Sequence, residues 1–460
     1  MNILTKIVVD GFWGDRRVEV NLFPDVTFFI GPNGSGKTTL INLIAAALTV
    51  DYRTLEKITF DKISISLAKK NAGRAKNTPA IIVSKHVEAG NQRIVYDISL
   101  DDGRSRSSYS LTDVDGRFMA RLLAPDPHSV ARLNARGPSA GRPKIGALGL
   151  LSELEGLVSV NWLSVDRTLN LDRWGDARSY ESAIDSRLVA LSNKLVRFLS
   201  KIAQERDDAI RDFQQKVLLS FIEFPAESAA RFRVKATLDA VKEIAFILKK
   251  TFRDAKIDDS IVESYVSNFI ARAESALNKF NKLNSDRERT ADRTRRREPP
   301  TTEEMKILND FFMVSQKLAD SSKVANLASK LQERLDEILS KRNIFVQTAN
   351  NLYLKKKMFI TDSNEILFET VSGKILTPQA LSSGEKQMLV LLSEMFLQDE
   401  QKSIMIADEP ELSLHLVWQE TLINSLKNLN PFGQIIVATH SPDIVGGRED
   451  RIISVDEIIR

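Results

Sequence analysis

Hydrophobic and polar positions alternate in three successive patterns along the chain. In the N-terminal part, short apolar runs at residues 3–9, 16–21 and 26–30 are separated by turns that contain glycine or proline. Such runs are typical of β-strands. An apolar helix is predicted at 38–48, and further strands are predicted at 63–67, 80–87, 94–100 and 157–165. The first third therefore has an α/β pattern.

The middle of the chain has a helical period, and glycine is absent from about residue 180 to 354. Apolar side chains recur at spacings of three and four in two stripes, which are Leu188, Leu191, Leu195, Phe198 and Ile202, and Val324, Leu327, Leu331, Leu335 and Ile338. This spacing predicts a helical hairpin or short coiled coil. A compact helical subdomain fits the same pattern equally well.

Strands return after residue 354. A hairpin is predicted at 358–361 and 366–370, followed by a helix at 389–396. The runs at 403–407 and 434–438 are apolar without alternation, as in central strands of a parallel sheet that is buried on both faces. The pattern thus predicts three segments, namely an N-terminal α/β lobe at 1–175, a helical insert at 176–354 and a C-terminal α/β lobe at 355–460.

Composition narrows the class of protein. The 460 residues are 43% hydrophobic and 27% charged, with a net charge of +4 and no cysteine. These values exclude a collagen-like, disordered or disulfide-stapled chain and any thiolate metal site. No apolar run has membrane-spanning length and no signal peptide is evident, so we expect a cytoplasmic protein without a membrane partner. Two basic stretches, 132–146 and 286–298, are interpreted as loops; the mild charge permits DNA contact without arguing for it.

A glycine-rich loop carries the first chemical signal. Residues 31–38 match the pattern G-x-x-x-x-G-K-[ST] and lie between a predicted strand and a predicted helix. Glycines allow backbone N–H groups to surround phosphates, the lysine reaches the β- and γ-phosphates, and the threonine hydroxyl is a ligand for Mg²⁺. The sequence therefore predicts a site for ATP and Mg²⁺ formed by Gly31, Pro32, Asn33, Gly34, Ser35, Gly36, Lys37, Thr38 and Thr39.

A second signal lies in the last quarter of the chain. An apolar strand ends in Asp408 and Glu409, and His440 follows the next buried strand. Neighbouring side chains on a strand point to opposite faces, so the two acids should take different roles. We expect Asp408 to hold Mg²⁺ together with Thr38, and Glu409 to polarise the attacking water. Because ligands bind at the carboxyl ends of strands in open α/β sheets, His440 is predicted to contact the γ-phosphate, completing a catalytic set with Glu409 and Lys37.

The order of these motifs resembles that of an ABC-type ATPase head. Residues 31–38, the segment Leu381-Ser382-Ser383-Gly384-Glu385-Lys386-Gln387, the segment Asp408-Glu409-Pro410 and the segment Thr439-His440-Ser441-Pro442 look like a Walker A loop, a signature, a Walker B strand and a switch histidine. Their wide separation by a helical insert resembles SMC and DNA-repair ATPases. The signature segment and the stretch Asp-Glu-Pro-Glu-Leu-Ser-Leu-His at 408–415 are similar to OLD-like stand-alone AAA ATPases of bacterial phage defence, with PARIS-type ATPase subunits first and Septu-type next.

This resemblance implies an α/β fold, an ABC-type P-loop NTPase head with a mixed sheet that an all-α insert interrupts. It also implies that ATP is enclosed between two heads, in a dimer or higher homo-oligomer, with Ser382, Ser383, Gly384 and Glu385 acting in trans. From the residues alone, Ser382 and Glu385 fit a helix-capping box equally well.

The resemblance implies an ATP-driven switch that controls a nuclease effector and responds to a phage-encoded trigger protein. A DNA-binding repair-type ATPase is the alternative, and the two basic stretches would then grip the DNA backbone. A scaffold that binds ATP without useful turnover also fits the motifs, whereas a transport energiser fits the charged insert poorly.

Several positions depart from the family pattern. Ser383 stands where transporters have a second glycine, and Ser413-Leu414-His415 occupies the D-loop position that usually ends in aspartate. No convincing Q-loop glutamine appears, and Arg167 is as well explained by a surface ion pair as by phosphate contact. For Phe12-Trp13 and Arg16-Arg17 we favour a core aromatic and a solvated strand over nucleotide contacts.

Overall fold

The computed structural model describes residues 2–69, 78–88, 91–100, 106–112, 115, 145–163, 183–220, 237–254, 258–291, 299–398 and 403–460. It divides into two compact units, one formed by Met1–Leu199 with Lys341–Arg460 and the other by Ser200–Ser340. Of the loop predicted at 132–146, residues 132–144 lie outside the described residues, as does the Val165-Asp166-Arg167 segment. The prediction is wrong at residues 145–146, which begin a helix.

The strands are, in chain order, β1 (Asn2–Phe12), β2 (Arg16–Asn21), β3 (Val26–Ile30), β4 (Lys62–Lys69), β5 (Ala80–Glu88), β6 (Asn91–Ser99), β7 (Arg106–Leu111), β8 (Ser159–Leu163), β9 (Lys356–Ile360), β10 (Ile366–Thr370), β11 (Ile375–Leu376), β12 (Ser403–Asp408), β13 (Gln434–Ala438) and β14 (Ile452–Ser454). The helices are α1 (Lys37–Thr49), α2 (Tyr52–Lys57), α3 (Ile145–Leu157), α4 (Ala183–Ser220), α5 (Leu238–Asp254), α6 (Asp259–Ala291), α7 (Thr302–Leu352), α8 (Ser383–Phe396), α9 (Leu416–Leu429), α10 (Pro442–Val445) and α11 (Val455–Ile458).

A five-stranded parallel sheet forms the centre of the first unit, in the order β14-β3-β13-β12-β8. Every residue of β12 and β13 is buried, as the lack of alternation in their sequences predicts. In register, Asp408 pairs with Ala438 and Ala438 pairs with Phe29. The loops that follow β3, β12 and β13 therefore emerge side by side at one edge of the sheet.

A six-stranded antiparallel sheet, in the order β2-β1-β4-β5-β6-β7, belongs to the same unit. Its strands alternate, so that Ile63, Ile65 and Leu67 of β4 are buried while the serines between them are not fully buried. These side chains join one core cluster with α1 and with apolar residues of the parallel sheet. Burial of α1 in this cluster holds the start of the helix at the end of β3. Both sheet types are present, which confirms the predicted mixed α/β fold class.

The predicted hairpin near residue 360 is present as the antiparallel pair β9–β10, which β11 extends to three strands. Helix α8 begins at Ser383, six residues before the helix predicted from periodicity alone. The reason is local, because the side chain of Glu385 turns back to accept a hydrogen bond from the backbone N–H of Ser382 at 2.8 Å. That interaction stabilises the first turn of the helix.

The second unit is helical. Its core contains Val241 and Ile244 of α5, Ala273 and Leu277 of α6, and Leu318 and Ala325 of α7. The rings of Phe280 and Phe311 stack at 3.7 Å between centroids. Three helices thus pack around one apolar core, as in a small bundle.

The loop predicted at 286–298 is wrong in its first six residues, because α6 continues as far as Ala291. Arg287, near the C-terminal end of α6, donates to Glu304 of α7 at 3.0 Å. The hydrogen bond from Arg287, together with those from Thr301, lowers the pKa of Glu304 to about 2. The first part of this charged segment is therefore helical and forms an ion pair with the neighbouring helix. Residues 292–298 lie outside the described part. Among the described residues, no helix is both long and apolar enough to cross a membrane.

Candidate nucleotide site

The loop between β3 and α1 contains glycines in conformations that other residues adopt at a cost. Gly34 has φ +83° and Gly36 has φ +96°. A Cβ at Gly36 would also lie only 2.8 Å from the Trp13 ring. Around Gly34, by contrast, the space is open. The hydroxyl of Ser35 is buried without a hydrogen-bond partner. An open concave loop with an unsatisfied donor fits an incoming phosphate.

Lys37 begins helix α1 and is 4% exposed. Its Nζ donates to the carbonyl oxygens of Gly31 at 2.7 Å and Pro32 at 2.9 Å, so the loop itself holds the ammonium group. Burial lowers the pKa of Lys37, and the nearby carboxylates of Glu409, Asp408, Asp456 and Glu411 oppose that shift. The lysine is therefore a buried cation at the centre of an acidic cluster.

Asp408 and Thr38 come together from positions 370 residues apart in the sequence. The Thr38 hydroxyl donates to Asp408 Oδ1 at 3.4 Å. Burial raises the pKa of Asp408 to about 6, the Thr38 hydrogen bond and Lys37 lower it, and Glu409 and Glu411 add to the rise. A hydroxyl and a carboxylate are oxygen ligands of the kind that Mg²⁺ prefers, and an added dication would compensate this concentration of negative charge.

The raised pKa of Asp408 predicts how the free energy of unfolding depends on pH. Its pKa in the folded protein, about 6, exceeds its ordinary value of 3.8, so folding favours the protonated form. The free energy of unfolding contributed by this group is therefore present below pH 4 and falls as the pH rises towards 6. We expect Asp408→Asn to raise the stability of the magnesium-free, nucleotide-free protein at pH 7 by up to about 3 kcal/mol.

Urea unfolding in EDTA at pH 7 and at pH 4 measures this effect. The gain should disappear at pH 4, where the wild-type carboxyl is already protonated. A variant that is less stable than wild type at both pH values would contradict the argument.

Glu409 and His440 also meet. Glu409 Oε1 lies 3.4 Å from His440 Nε2, and both side chains are partly exposed. The backbone of Glu409 has left the strand geometry at φ +42°, while its N–H still donates to Ala438 O at 2.8 Å. A non-glycine residue in the left-handed region is strained, which is characteristic of functional sites. Alternation along a strand predicts that the two acids lie on opposite faces, whereas in the structure a sharp turn after Asp408 separates them.

Two further acids surround this cluster that the sequence analysis did not single out. Glu411 accepts hydrogen bonds from the Thr439 hydroxyl and from the backbone N–H of His440, the latter at 3.0 Å. Asp456, on helix α11, is close enough to raise the pKa of Lys37. The acidic segment Asp-Glu-Pro-Glu was a signal for Glu411, whereas nothing in the sequence pattern marks Asp456.

The signature residues occupy the N-terminal turn of α8. Ser382 and Ser383 are exposed, and Gly384 is buried against the turn at Ser413, so that a Cβ there would overlap the Ser413 carbonyl oxygen. Glu385 accepts from Ser382 Oγ at 2.8 Å and pairs with Lys356. The capping interaction that the residues suggested is therefore present. It leaves the two serines accessible from outside the subunit.

Trp13 lies beside the loop rather than in the core. Trp13 is 39% exposed, and its ring stacks on the fully buried Phe12 with 4.9 Å between the ring centroids. The Arg16 guanidinium lies over the Trp13 ring, 5.4 Å from its centroid. The core interpretation thus fits Phe12, whereas Trp13 packs against Gly36.

Comparison with known proteins shows the family. The model of the AAA ATPase domain family matches residues 1–445. The curated relatives include a probable ATPase of retron Vc95 from Vibrio cholerae serotype O1 biovar El Tor, 27% identical over 148 residues, covering 27% of this chain and 29% of that protein. Another is the Septu protein PtuA of Bacillus thuringiensis, 30% identical over 98 residues, covering 18% of this chain and 24% of that protein. The chain thus spans only 29% and 24% of the lengths of these two relatives.

Solved structures that match include an Smc head domain with an extended coiled coil from Pyrococcus furiosus. It has a TM-score of 0.41 and 12% identity, with coverage of 100% of this chain and 96% of that one. An Smc head domain with a coiled coil and joint from Pyrococcus yayanosii has a TM-score of 0.35 and 15% identity, with the same coverage. The family model extends over both segments that carry the nucleotide motifs. The chain belongs to the AAA ATPase domain family.

Proposed function

We propose that this protein is an ATP-hydrolysing switch that assembles through its nucleotide-binding heads and controls a nuclease effector in bacterial anti-phage defence. The observation that carries the proposal is the meeting of Lys37 and Thr38 with Asp408, Glu409 and His440 at one sheet edge. These residues come from opposite ends of the sequence and supply the groups that phosphoryl transfer requires.

In this proposal, the triphosphate lies in the loop at 31–36 and against the N-terminus of α1, where backbone N–H groups and the helix dipole favour anions. Lys37 Nζ turns from the carbonyl oxygens of Gly31 and Pro32 to the phosphates. Thr38 and Asp408 would hold Mg²⁺, which would supply positive charge to neutralise the phosphates. The open space at Gly34 and the unsatisfied Ser35 hydroxyl support this placement.

Glu409 is the proposed general base. Its carboxylate accepts a proton from the attacking water, and His440, 3.4 Å away, orients that carboxylate and contacts the γ-phosphate. Asp408 has a separate role, because it is buried (4% exposed) and accepts a hydrogen bond from the Thr38 hydroxyl. The turn after Asp408, with φ +42° at Glu409, gives the two neighbouring acids different surroundings.

The exposed N-terminal turn of α8 supports completion of the site by a second copy. Ser382 and Ser383 point away from the subunit core, and the first N–H groups of a 14-residue helix form an anion site. In the proposal this turn contacts the γ-phosphate bound to the other head, as the resemblance to ABC-type heads implies.

Mixing two inactive variants tests the trans arrangement. Lys37→Met removes the phosphate-binding lysine, and Ser382→Arg blocks the signature turn. In an equimolar mixture, half of the dimers are mixed and each carries one intact composite site, so ATP turnover should recover to about one quarter of wild type. Each variant alone is the control. If mixing restores nothing while the wild type turns over ATP, the head-to-head arrangement fails but the ATPase stands.

The defence role rests on the resemblance and on the retron and Septu relatives, which match over part of their lengths. A nuclease encoded beside this gene is the expected partner, and it should copurify with the ATPase and lose or gain activity when ATP is added. Permease genes in that position would overturn the proposal. The DNA-binding alternative receives no support from Arg287, which is paired with Glu304.

A further inference from the structure

Glu411 is a buried carboxylate for which hydrolysis as proposed above has no use. It is 8% exposed and follows Glu409 by two residues in the turn after β12. Its Oε1 accepts two hydrogen bonds from the turn after β13, one from the Thr439 hydroxyl and one from the backbone N–H of His440 at 3.0 Å. The side chain therefore ties together the two loops that carry the proposed base and the switch histidine.

Burying the Glu411 carboxylate beside other acids destabilises the folded protein, which indicates that the side chain has a function. Glu411 is one of the acids that raise the pKa of Asp408, so the carboxylates repel one another. A buried charge near like charges destabilises the folded state unless hydrogen bonds compensate it. A leucine or methionine would fill the same space without repulsion. Unlike those side chains, Glu411 has an oxygen that accepts hydrogen bonds from the Thr439 hydroxyl and from the backbone N–H of His440.

Those two donors fix the backbone around His440. Thr439 is fully buried, and its hydroxyl donates to Glu411 while accepting the N–H of Ser441 at 2.9 Å. His440 N–H is bound on the same carboxylate oxygen. Each of the residues 439, 440 and 441 is thus held by a hydrogen bond, through the side chain of Thr439 and through the backbone N–H of His440 and of Ser441. The imidazole of His440, by contrast, is partly exposed and is held by the 3.4 Å contact with Glu409.

We propose that Glu411 is a positioning residue for hydrolysis, which fixes the backbone of His440 so that its imidazole stays within reach of Glu409. This inference rests on the proposed ATPase function and deepens it. In this proposal Glu411 acts through His440, by the one carboxylate oxygen that accepts both hydrogen bonds. Its required property is an acceptor oxygen, so glutamine should replace it and alanine should not.

A second link between the same loops provides a matched control. Gln419 Nε2 donates to Leu414 O at 2.9 Å, and Gln419 Oε1 accepts from Ser441 Oγ at 2.7 Å. Like Glu411, Gln419 makes two hydrogen bonds and joins the turn after β12 to the turn after β13. It does not contact His440. Gln419→Ala therefore removes two comparable hydrogen bonds between the loops and leaves the hydrogen bond from His440 N–H to Glu411 in place.

Steady-state ATP turnover of full-length variants tests the proposal. We expect Glu411→Ala to lower kcat by about tenfold to a hundredfold with KM for ATP within threefold of wild type, because the lost positioning acts on the chemical step. Glu411→Gln and Gln419→Ala should each retain at least about a third of kcat, since neither removes the acceptor for His440 N–H. In a His440→Ala background, adding Glu411→Ala should cost no more than about twofold, because residues that act as a unit are not additive.

Three results would overturn the inference. The first is an effect of Glu411→Ala that multiplies with that of His440→Ala, which would show independent action. The second is a Gln419→Ala variant as slow as Glu411→Ala, which would reduce the role to loop anchoring. The third is a Glu411→Gln variant as slow as Glu411→Ala, which would show that charge and not an acceptor matters.

A spectroscopic measurement separates this inference from the function on which it rests. The chain has four histidines, so the imidazole resonances of ¹⁵N-histidine-labelled protein can be assigned to His440 with the His440→Ala variant. Glu411→Ala should shift or broaden the His440 signals, whereas Glu411→Gln and Gln419→Ala should leave them in place. Unchanged signals in folded Glu411→Ala would refute the positioning role. If the wild type hydrolyses no ATP, the proposed function fails while this structural test still decides.

Discussion

Replacing Glu409 by glutamine should reduce ATP turnover by about a thousandfold while leaving ATP affinity within a few-fold of wild type, as expected for loss of a general base. Glutamine keeps the size of the side chain and its contact with His440, but it cannot accept a proton from water. The residue lies at the sheet edge beside Asp408 and is partly exposed, so it is accessible to solvent where hydrolysis would occur. Phosphate release under saturating ATP gives kcat, and binding of a fluorescent ATP analogue gives affinity.

The same variant should accumulate the closed assembly, because ATP binds and is not consumed. Light scattering during size-exclusion chromatography should show an ATP-dependent increase in mass for Glu409→Gln that is larger or longer-lived than for wild type. Glu420→Gln, an exposed change of the same chemistry on α9, is the control and should behave as wild type. Unchanged turnover in Glu409→Gln would show that another residue is the base.

The parts of the site that sequence predicted best are those fixed by local backbone requirements. The loop at 31–38 needs glycine where φ is positive, and Gly34 and Gly36 satisfy that need at +83° and +96°. The strands β12 and β13 need apolar side chains on both faces, and their sequences contain them without interruption. Because parallel strands end at one edge, these local signals also predicted which remote residues meet.

Long-range hydrogen bonding produced the features that sequence did not predict. Glu411 joins residues 28 positions away along the chain, and no spacing rule links it to Thr439. The close approach of Gly384 to Ser413 depends on the packing of α8 against the turn after β12. Asp456 reaches Lys37 only because β14 joins the parallel sheet beside β3.

The helical second unit shows a different reason for error. Its charge run at 286–298 has no apolar period, so the sequence gives no reason to extend the helix through it. In the structure, α6 continues to Ala291, and Arg287 on this helix pairs with Glu304 on the neighbouring helix. A contact between two helices is not contained in the period of either one, so the pattern did not predict these helical residues.

Replacing Lys37 by methionine should weaken binding of magnesium–ATP by about a hundredfold or more, since a charge-assisted contact to phosphate is lost from a buried site. Methionine has a similar length and fits the space of a side chain that is 4% exposed. The wild-type ammonium is held beside the loop by Gly31 O and Pro32 O, from which it turns to the phosphates when nucleotide binds. Without it, the carboxylates of Asp408, Glu409 and Asp456 repel the triphosphate and the compensating charge of Lys37 is lost.

Thermodynamic linkage turns this loss into a stability measurement that needs no turnover. At a ligand concentration of a hundred times the wild-type Kd, nucleotide stabilises the wild type by about 2.7 kcal/mol, and a hundredfold weaker site retains about 0.4 kcal/mol. Thermal unfolding with and without magnesium–ATP should therefore show a rise in Tm for wild type and for the exposed control Lys355→Met, and almost none for Lys37→Met. An equal rise in all three proteins would place the nucleotide elsewhere, because ligand bound away from the loop at 31–36 would stabilise the chain whether or not its buried lysine remained.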